Sequence, residues 1–462
     1  MRKFFAILIG KLIITITRIT RRGGGSALPG LVALKIDPKL VSKITERLSN
    51  GPVIITGTNG KTTTAKYLSE ILKASGLKVI ANGSGSNMLH GIASTLIERS
   101  SLFGRPKGDI GLFEIDEATM PEATANINPK YILVTNLFRD QLDRYGELDK
   151  TATIIASSLK GLKGINVILN ADDPLVASLS NQVDRASKVT YFGLDENRYL
   201  TSSKASFDSK DCILCGRELN FSKRYYAHLG EYSCSNCDFK RPYPDYIASG
   251  ISLNGIKEAR VNFSNQKNVI SATLKLSGLY NIYNALGAYS LSETIGIADA
   301  LTQGVLENVS AAFGRMEKIE FKGKEIYLLL IKNPIGFTQV IETLSTDGNA
   351  KNFLICLNDN FADGTDVSWI WDADLETLNN DFNSIICSGT RSHDMTLRLK
   401  YADLDTSKIE TIEDSVTALS KALDKLGAKE TLYILPTYTA MLEIRKYLTK
   451  EGAVAGFWEE QK

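Results

Sequence analysis

The stretch Gly57-Thr58-Asn59-Gly60-Lys61-Thr62-Thr63 directly follows the apolar run Val53-Ile54-Ile55. Ala65, Leu68, Ile71 and Leu72 then recur at helical spacing. The pattern predicts a buried strand, a glycine-rich turn and a helix to about residue 74. A strand that enters a helix this way belongs to an open α/β sheet, and its turn is a phosphate cradle. Glycines let backbone N–H groups turn inward, and the helix N-terminus adds partial positive charge. Lys61 can reach β- and γ-phosphates, and the Thr62 hydroxyl is placed for Mg²⁺. Counted from Gly57, the spacing is one residue shorter than G-x-x-x-x-G-K-[ST]. The competing interpretation is a glycine turn that holds no ligand.

The alternation continues through Lys78-Val79-Ile80, Ile110-Gly111-Leu112-Phe113, Tyr131-Ile132-Leu133-Val134 and Val167-Ile168-Leu169, with a helical stretch at 281–293. Short apolar strands separated by helices predict a mostly parallel sheet covered on both faces. After about residue 313 a second α/β unit begins, with strands near 326–331, 353–357, 384–388 and 431–435. The expected organisation is an N-terminal helical segment over 1–50, a central ATP-binding domain over 51–312, and a smaller Rossmann-like α/β domain over 313–462. The boundary falls near Ala312.

Residues 205–245 break this rhythm, being polar, aromatic and rich in cysteine. Cys212-x2-Cys215 and Cys234-x2-Cys237 have the spacing of a zinc ribbon inserted in the central domain. Two knuckles around one tetrahedral Zn²⁺ would staple a segment with too few aliphatic residues for a core. Four thiolates leave zinc no open position, so the expected role is structural. A redox role would not need the second pair. Cys356 and Cys387 lie in apolar strands and are expected in the core.

Ahead of the cradle, Phe4-Phe5-Ala6-Ile7-Leu8-Ile9-Gly10 and Leu12-Ile13-Ile14 form an apolar run flanked by Arg2, Lys3, Arg18, Arg21 and Arg22. Lys11 interrupts it, it is too short to span a bilayer, and no A-x-A-like cleavage site follows. Two interpretations stay open: a helix packed on its own domain, or an amphipathic helix resting on an anionic membrane face. Gly23-Gly24-Gly25-Ser26 and Pro29-Gly30 predict a flexible loop before a helix at 38–48. Lys and Arg number 54 against 52 Asp and Glu, a net charge of +2, so no polyelectrolyte partner is implied. Tyr225, Tyr226, Tyr232, Tyr243 and Tyr246 could stack on bases, yet no basic stripe accompanies them, and nucleic-acid binding is not expected. Two C-x-x-C pairs without a cleavable secretory segment point to a reducing cytoplasm.

Phe113-Glu114-Ile115-Asp116-Glu117 ends a strand in a carboxylate cluster, and Glu114 is the candidate Mg²⁺ ligand beside the cradle. An exposed acidic turn is the alternative. Thr135-Asn136-Leu137-Phe138-Arg139-Asp140-Gln141-Leu142-Asp143 follows the next strand. With these come Asn170-Ala171-Asp172-Asp173, Asn281 with Asn284-Ala285, and Gly314-Arg315-Met316-Glu317. In this order, over roughly residues 50–320, the motifs resemble those of Mur ligases, ATP-dependent amide-forming enzymes of peptidoglycan synthesis.

The resemblance implies that Gly57 through Thr63, Asn136 and Asp140 serve ATP, with Asp143 helping to arrange the nucleotide and metal. Thr62 and Glu114 would hold Mg²⁺, Asn281 would lie near the adenine, and Arg315 would reach the phosphates from the following domain. The family usually has histidine where this chain has Gln141, so a second Mg²⁺ of the usual kind is not expected. The carbamylated lysine of many members has no identifiable counterpart. Only fifty residues precede the cradle strand, where ordinary members carry a domain for a uridine nucleotide, so no uridine diphosphate handle is expected. Folylpolyglutamate synthases share that lack but have Gly-Ser after the lysine, where this chain has Thr62-Thr63.

The zinc ribbon and the block Leu357-Asn358-Asp359-Asn360-Phe361-Ala362-Asp363-Gly364-Thr365-Asp366-Val367-Ser368-Trp369-Ile370-Trp371-Asp372 resemble the amidating branch of the family. That branch converts the D-glutamate α-carboxylate of the lipid II stem peptide to D-isoglutamine through an acyl phosphate, with ammonia from a GatD-like glutaminase partner. It implies a heterodimer working in the cytoplasm at the inner face of the plasma membrane. Asp359 is the residue carried over as completing the partner's cysteine–histidine pair, with Asp363 and Asp366 as rivals. Trp369 and Trp371 are either interface anchors or core aromatics. Among His90, His228 and His393 none lies in a nucleophile-elbow context with a cysteine, so the ammonia source is expected on another chain. His393 is expected on a surface loop. Two other functions compete: a stand-alone Mur-type amino-acid ligase, and a non-catalytic, nucleotide-regulated zinc-ribbon binding protein.

Overall fold

The computed structural model describes residues 1–19, 27–83, 86–139, 148–200, 209–310, 314–379, 381–427 and 429–454. The cradle strand β1 (Gly51–Thr56) is followed by β2 (Val79–Ala81), β3 (Ile110–Glu114), β4 (Tyr131–Val134), β5 (Asn166–Asn170) and β6 (Lys188–Asp195). These six are parallel neighbours in the order β6-β5-β4-β1-β3-β2. Side chains of β1 alternate between two covered faces. Val53 and Ile55 join one apolar cluster and Ile54 another, which is why the strand is apolar at successive positions.

The chain then leaves the sheet for a hairpin, β7 (Leu219–Tyr226) and β8 (Leu229–Cys234). It returns as β9 (Tyr246–Asn254), β10 (Glu258–Ser264) and β11 (Val269–Leu274), completing a nine-stranded sheet. β9 runs parallel to β6, and β10 and β11 continue as an antiparallel meander. Residues of β11 alternate exposed and buried. That one-sided pattern gave no continuous apolar run, so the parallel reading missed the meander.

The second body is a six-stranded sheet. β12 (Arg315–Phe321) and β13 (Lys324–Leu329) form an antiparallel pair at its edge. The parallel strands β14 (Lys351–Cys356), β15 (Phe382–Ser388), β16 (Ile409–Thr411) and β17 (Thr431–Pro436) complete the order β12-β13-β17-β14-β15-β16. The expected strands near 326–331, 353–357, 384–388 and 431–435 are thus present, and the edge strand β12 is an addition. Cys356 and Cys387 are fully buried in β14 and β15, and burial pushes the Cys387 thiol up to about 12. The boundary residue Ala312 lies outside the described residues, as do Gly23 to Ser26.

Before β1, helices Arg2–Ile19, Leu28–Ile36 and Leu40–Thr45 pack on the sheet's flank. Pro29-Gly30 is not a flexible loop but the first turn of the second helix. Proline is tolerated there because its missing N–H would lack a partner anyway. Gly30 lies where this helix crosses Leu89–Glu98, and an added Cβ would sit 1.8 Å from the His90 carbonyl oxygen. Packing has overridden a turn propensity. Among the described residues, no helix is long and apolar enough to cross a membrane.

Candidate active site

The cradle is shaped by two left-handed glycines. Gly57 has φ +122° and Gly60 φ +89°, and Gly60 leads into the helix Lys61–Ala74. An added Cβ would lie 2.3 Å from Thr135 Oγ1 at Gly57 and 2.0 Å from Asn284 Oδ1 at Gly60. Both positions therefore need glycine for space as well as conformation. Asn136, just past β4, clamps the loop. Its Oδ1 accepts from the Asn59 N–H at 2.9 Å and its Nδ2 donates to the Asn59 carbonyl at 3.1 Å, while its own carbonyl accepts from the Thr58 N–H at 2.9 Å.

At the first turn of that helix, the Thr62 hydroxyl donates to Glu114 Oε2 at 3.0 Å. Glu114 ends β3 and is fixed by Asn82, which accepts from its N–H at 2.9 Å and donates to its carbonyl at 3.0 Å. Burial pushes the Glu114 carboxyl up from its ordinary value, opposed by the positive charge of Arg315, the Thr62 hydroxyl and Lys61. A hydroxyl and a buried carboxylate in contact are hard oxygen donors of the kind Mg²⁺ takes. Lys61 Nζ donates to the Gly57 carbonyl at 2.6 Å and pairs with Glu117 at 3.2 Å and Asp116 at 3.7 Å.

Arg315 reaches this region from the second body. Its aim comes from a bulge in β12, where the register with β13 shifts between Arg315 and Glu317 and Met316 takes φ +59°. Glu317 accepts from the Gly314 N–H at 3.1 Å and pairs with Arg445. A bulge turns successive side chains away from the ladder's alternation. The cleft between the bodies is lined by Asn59, Gly60, Asn136, Tyr280, Asn281 and Arg315 among others. Asn281 donates to the Ser277 carbonyl at 2.8 Å and touches Met316 sulfur at 2.9 Å. Asn333 closes the cleft: its Nδ2 donates to Asn59 Oδ1 at 3.0 Å, and its Oδ1 caps the helix Pro334–Ser345 through the Gly336 N–H at 2.8 Å.

The structure thus brings together the cradle residues, Asn136, Glu114, Asn281 and Arg315. Asp140, Gln141 and Asp143 lie outside the described residues. Glu117, Asn82 and Asn333 were not singled out from the sequence. Glu117 stood in the acidic cluster already noticed. Asn82 carries no local signal for its contact with Glu114, 32 residues away, whereas Asn333 before Pro334 has the local signature of a helix N-cap but none for its reach to Asn59, 274 residues away.

The hairpin β7–β8 carries the cysteine knuckles outward and an aromatic tip inward. The sulfurs of Cys212, Cys215, Cys234 and Cys237 all lie within 4.8 Å of one another, with Cys212–Cys237 at 3.6 Å and Cys215–Cys234 at 3.5 Å. A tetrahedral zinc with bonds of about 2.3 Å requires sulfur separations of about 3.8 Å, so the set fits Zn²⁺. The Arg217 and Asn236 hydrogen bonds hold the Cys215 thiol down to about 6. At the other end, Tyr226 lines the cleft and His228 is fully buried, 3.5 Å from Asp173 and with its ring 5.0 Å from that of Phe138.

On the second sheet, Asp359 sits just beyond β14. Thr390 Oγ1 donates to its Oδ1 at 2.8 Å, and Arg391 Nη1 to its Oδ2 at 3.4 Å. It remains about one-third exposed, at 31%. The rivals have other work. Asp363 is buried and accepts from the Thr439 N–H at 2.8 Å, in the first turn of Tyr438–Lys450. Asp366 accepts from the Ser368 N–H at 2.8 Å at the start of a short 3₁₀ turn. Trp369 packs edge-on against Phe337, whereas Trp371 is 47% exposed beside Tyr401. His393 is exposed, as expected, but on the first turn of the helix Ser392–Tyr401 rather than in a loop.

Two family models match the chain: Mur ligase middle domain over residues 55–237 and MurT ligase C-terminal over 330–441. The chain is 34% identical over 97% of its length to the lipid II isoglutaminyl synthase (glutamine-hydrolyzing) subunit MurT of Staphylococcus aureus (strain COL), covering 98% of that protein. It is 35% identical to the subunit of the same name from Streptococcus pneumoniae (strain ATCC BAA-255 / R6), over 94% of this chain and 95% of that one. In fold it resembles a pseudomurein peptide ligase type C from Methanothermus fervidus, with a TM-score of 0.63 at 24% identity, over 86% of this chain and 78% of that structure.

Proposed function

The chain belongs to the MurT branch of the Mur ligases and is an ATP-dependent ligase, and from that premise we propose that it amidates the D-glutamate α-carboxylate of the lipid II stem peptide to D-isoglutamine. One observation carries the chemistry: Lys61, Thr62 and Glu114 converge on the cradle, and Arg315 faces them across the cleft.

The substrate carboxylate attacks the γ-phosphorus of ATP, the bond to the β-phosphate oxygen breaks, and an acyl phosphate and ADP result. Ammonia then attacks the acyl carbon, phosphate leaves with the bonding electrons, and a proton is lost from nitrogen. The cradle N–H groups and Lys61 hold the β- and γ-phosphates, and Lys61 exchanges its carboxylate partners for phosphate oxygens. Arg315 meets the charge that spreads over the transferring group. Mg²⁺, held by Thr62 and Glu114, supplies neutralising charge. Asn136 and Asp140 belong to the nucleotide site by their order in the family, and Asn281 lies on its adenine side. Zn²⁺ bound by Cys212, Cys215, Cys234 and Cys237 is structural. The central domain spans 51–312 and the C-terminal domain 313–462.

Ammonia comes from a GatD-like glutaminase docked at the C-terminal domain. Asp359, which stays partly exposed at the end of β14 where Asp363 is buried against Thr439, orients the partner's catalytic imidazole and stabilises its cation. With a lipid-linked substrate, the complex works in the cytoplasm at the inner face of the plasma membrane.

Mass spectrometry of lipid II incubated with ATP, this chain, a glutaminase partner and unlabelled glutamine tests the assignment. Replacement of hydroxyl by amide lowers the product mass by about 1 Da. A gain equal to an amino-acid residue would instead establish a stand-alone amino-acid ligase.

A further inference from the structure

The N-terminal helix Arg2–Ile19 has two apolar faces, and only one is used by the fold. Ala6 and Ile7 are fully buried, and Gly10 lets the helix sit so closely on Leu89–Glu98 that an added Cβ would lie 2.9 Å from Ile97 Cδ1. On the opposite face Phe5, Leu8, Leu12 and Ile16 leave between 41% and 59% of their surface exposed. Their spacing of three, four and four places them on one stripe. Leu28 and Leu31 of the next helix are likewise 49% and 44% exposed. A helix of 18 residues is about 27 Å long, and it is seated through Ala6, Ile7 and Gly10, with Ile14 packed against the same cluster.

The charge around the platform is lopsided. Residues 1–50 hold ten Lys and Arg against two Asp and Glu, leaving 44 against 50 in the rest of the chain. The first fifty residues therefore carry +8 and the remainder −6, within a net charge of +2. Part of this charge is engaged where the helix meets its domain: Lys11 Nζ donates to the Glu98 carbonyl at 3.3 Å, and Lys43 pairs with Asp37 at 2.7 Å.

We infer that this platform docks the protein on an anionic lipid surface, with the apolar stripe lying in the headgroup boundary and the surplus positive charge of the first fifty residues drawn to lipid phosphates. An apolar stripe alone would suit a second copy of the chain equally well. Pairing two copies across a two-fold axis would, however, bring two +8 segments together. Lipid anions neutralise them instead, and each basic side chain near such a surface adds attraction. The glutaminase is assigned to the other body, at Asp359. The inference supplies the membrane contact required by the proposed lipid-linked substrate, although the exposure and the charge stand without that reading.

Co-sedimentation of the full chain with vesicles tests it, using phosphatidylglycerol-containing and pure phosphatidylcholine vesicles free of lipid II. Wild type is expected to pellet with the anionic vesicles, less so in high salt. L8E/L12E is expected to lose at least tenfold in partitioning with an unchanged melting temperature, and L8F/L12F to keep it. Wild type remaining in the supernatant overturns the inference, as does equal binding by L8E/L12E. A wild-type dimer dissolved by L8E/L12E, with neither protein binding lipid, assigns the platform to a second copy and also overturns it. Amidation of a water-soluble muramyl peptide with ATP and ammonium is assayed in parallel. Failure of wild type there and with lipid II, while vesicle binding persists, refutes the substrate reading and leaves the platform standing.

Discussion

Two parallel strands, β1 in the first sheet and β14 in the second, end in loops organised by an asparagine, yet they present opposite chemistry. Beyond β1, the loop is held by Asn136 from the neighbouring β4 and opens into a helix N-terminus through Gly60. Beyond β14, Asn358 accepts from the Thr390 N–H at 3.0 Å and donates to Thr439 Oγ1 at 2.9 Å, tying the ends of β15 and β17 together. Next in line there is not a glycine and a lysine but Asp359. Parallel sheets gather loops at the carboxyl ends of their strands as a matter of topology. Whether such an end holds an anion or offers one depends on the few residues that follow: a left-handed glycine and an N-terminal helix turn in one case, a carboxylate anchored by Thr390 and Arg391 in the other.

Replacing the chemical group at each end breaks the comparison most sharply. K61A or E114A should reduce amidation by at least about 10³-fold with ammonium and with glutamine alike. D359N should lower the glutamine-driven rate by about 10²–10⁴-fold with the partner present and leave the ammonium-driven rate within about twofold. Equal loss with both donors would place Asp359 in the synthetase site. The organising asparagines give the next effect. N136A should weaken the cradle by about 1–3 kcal/mol and raise KM for ATP, whereas N358A should mainly impair glutamine coupling. Steady-state kinetics with each donor separates them.

The ribbon sharpens the contrast because its tip meets the first site, with Tyr226 lining the cleft and His228 against Phe138. C234S should lose zinc by metal analysis and raise KM for ATP several-fold, with the ratio of glutamine- to ammonium-driven rates unchanged. The smallest expected effect concerns Glu342, beside the seam between the bodies. Burial, helped by Asp374, pushes its carboxyl up to about 7 from 4.5, with Gln339 opposing. A carboxyl raised in the folded state favours folding below its unfolded value and loses that contribution as pH rises through about 7. E342Q should therefore stabilise the protein at pH 8 by about 1–2 kcal/mol and have no effect near pH 4.5, as followed by thermal melting.

The first end was far more legible in the sequence than the second. Val53 through Thr63 is a contiguous strand, turn and helix start, so period and glycine placement reveal it without any partner. Cys212, Cys215, Cys234 and Cys237 were legible for the same reason, since ligand spacing within a hairpin is local. Asp359 was reached through resemblance, because only the folded chain shows Asp363 buried against the first turn of Tyr438–Lys450. Pro29-Gly30 misled, since propensity suggested a turn where helix crossing demanded a small residue. β9 to β11 escaped notice because a sheet edge with one wet face alternates and leaves no apolar run.

The bulge at Met316 has a consequence for how this strand tolerates change. A left-handed non-glycine residue costs about 1–2 kcal/mol, and the aim of Arg315 depends on that backbone curvature. Substitutions that relax position 316 would make the domain more stable and the enzyme slower. In homologous chains, drift at this position should register as altered turnover, with the fold itself showing nothing.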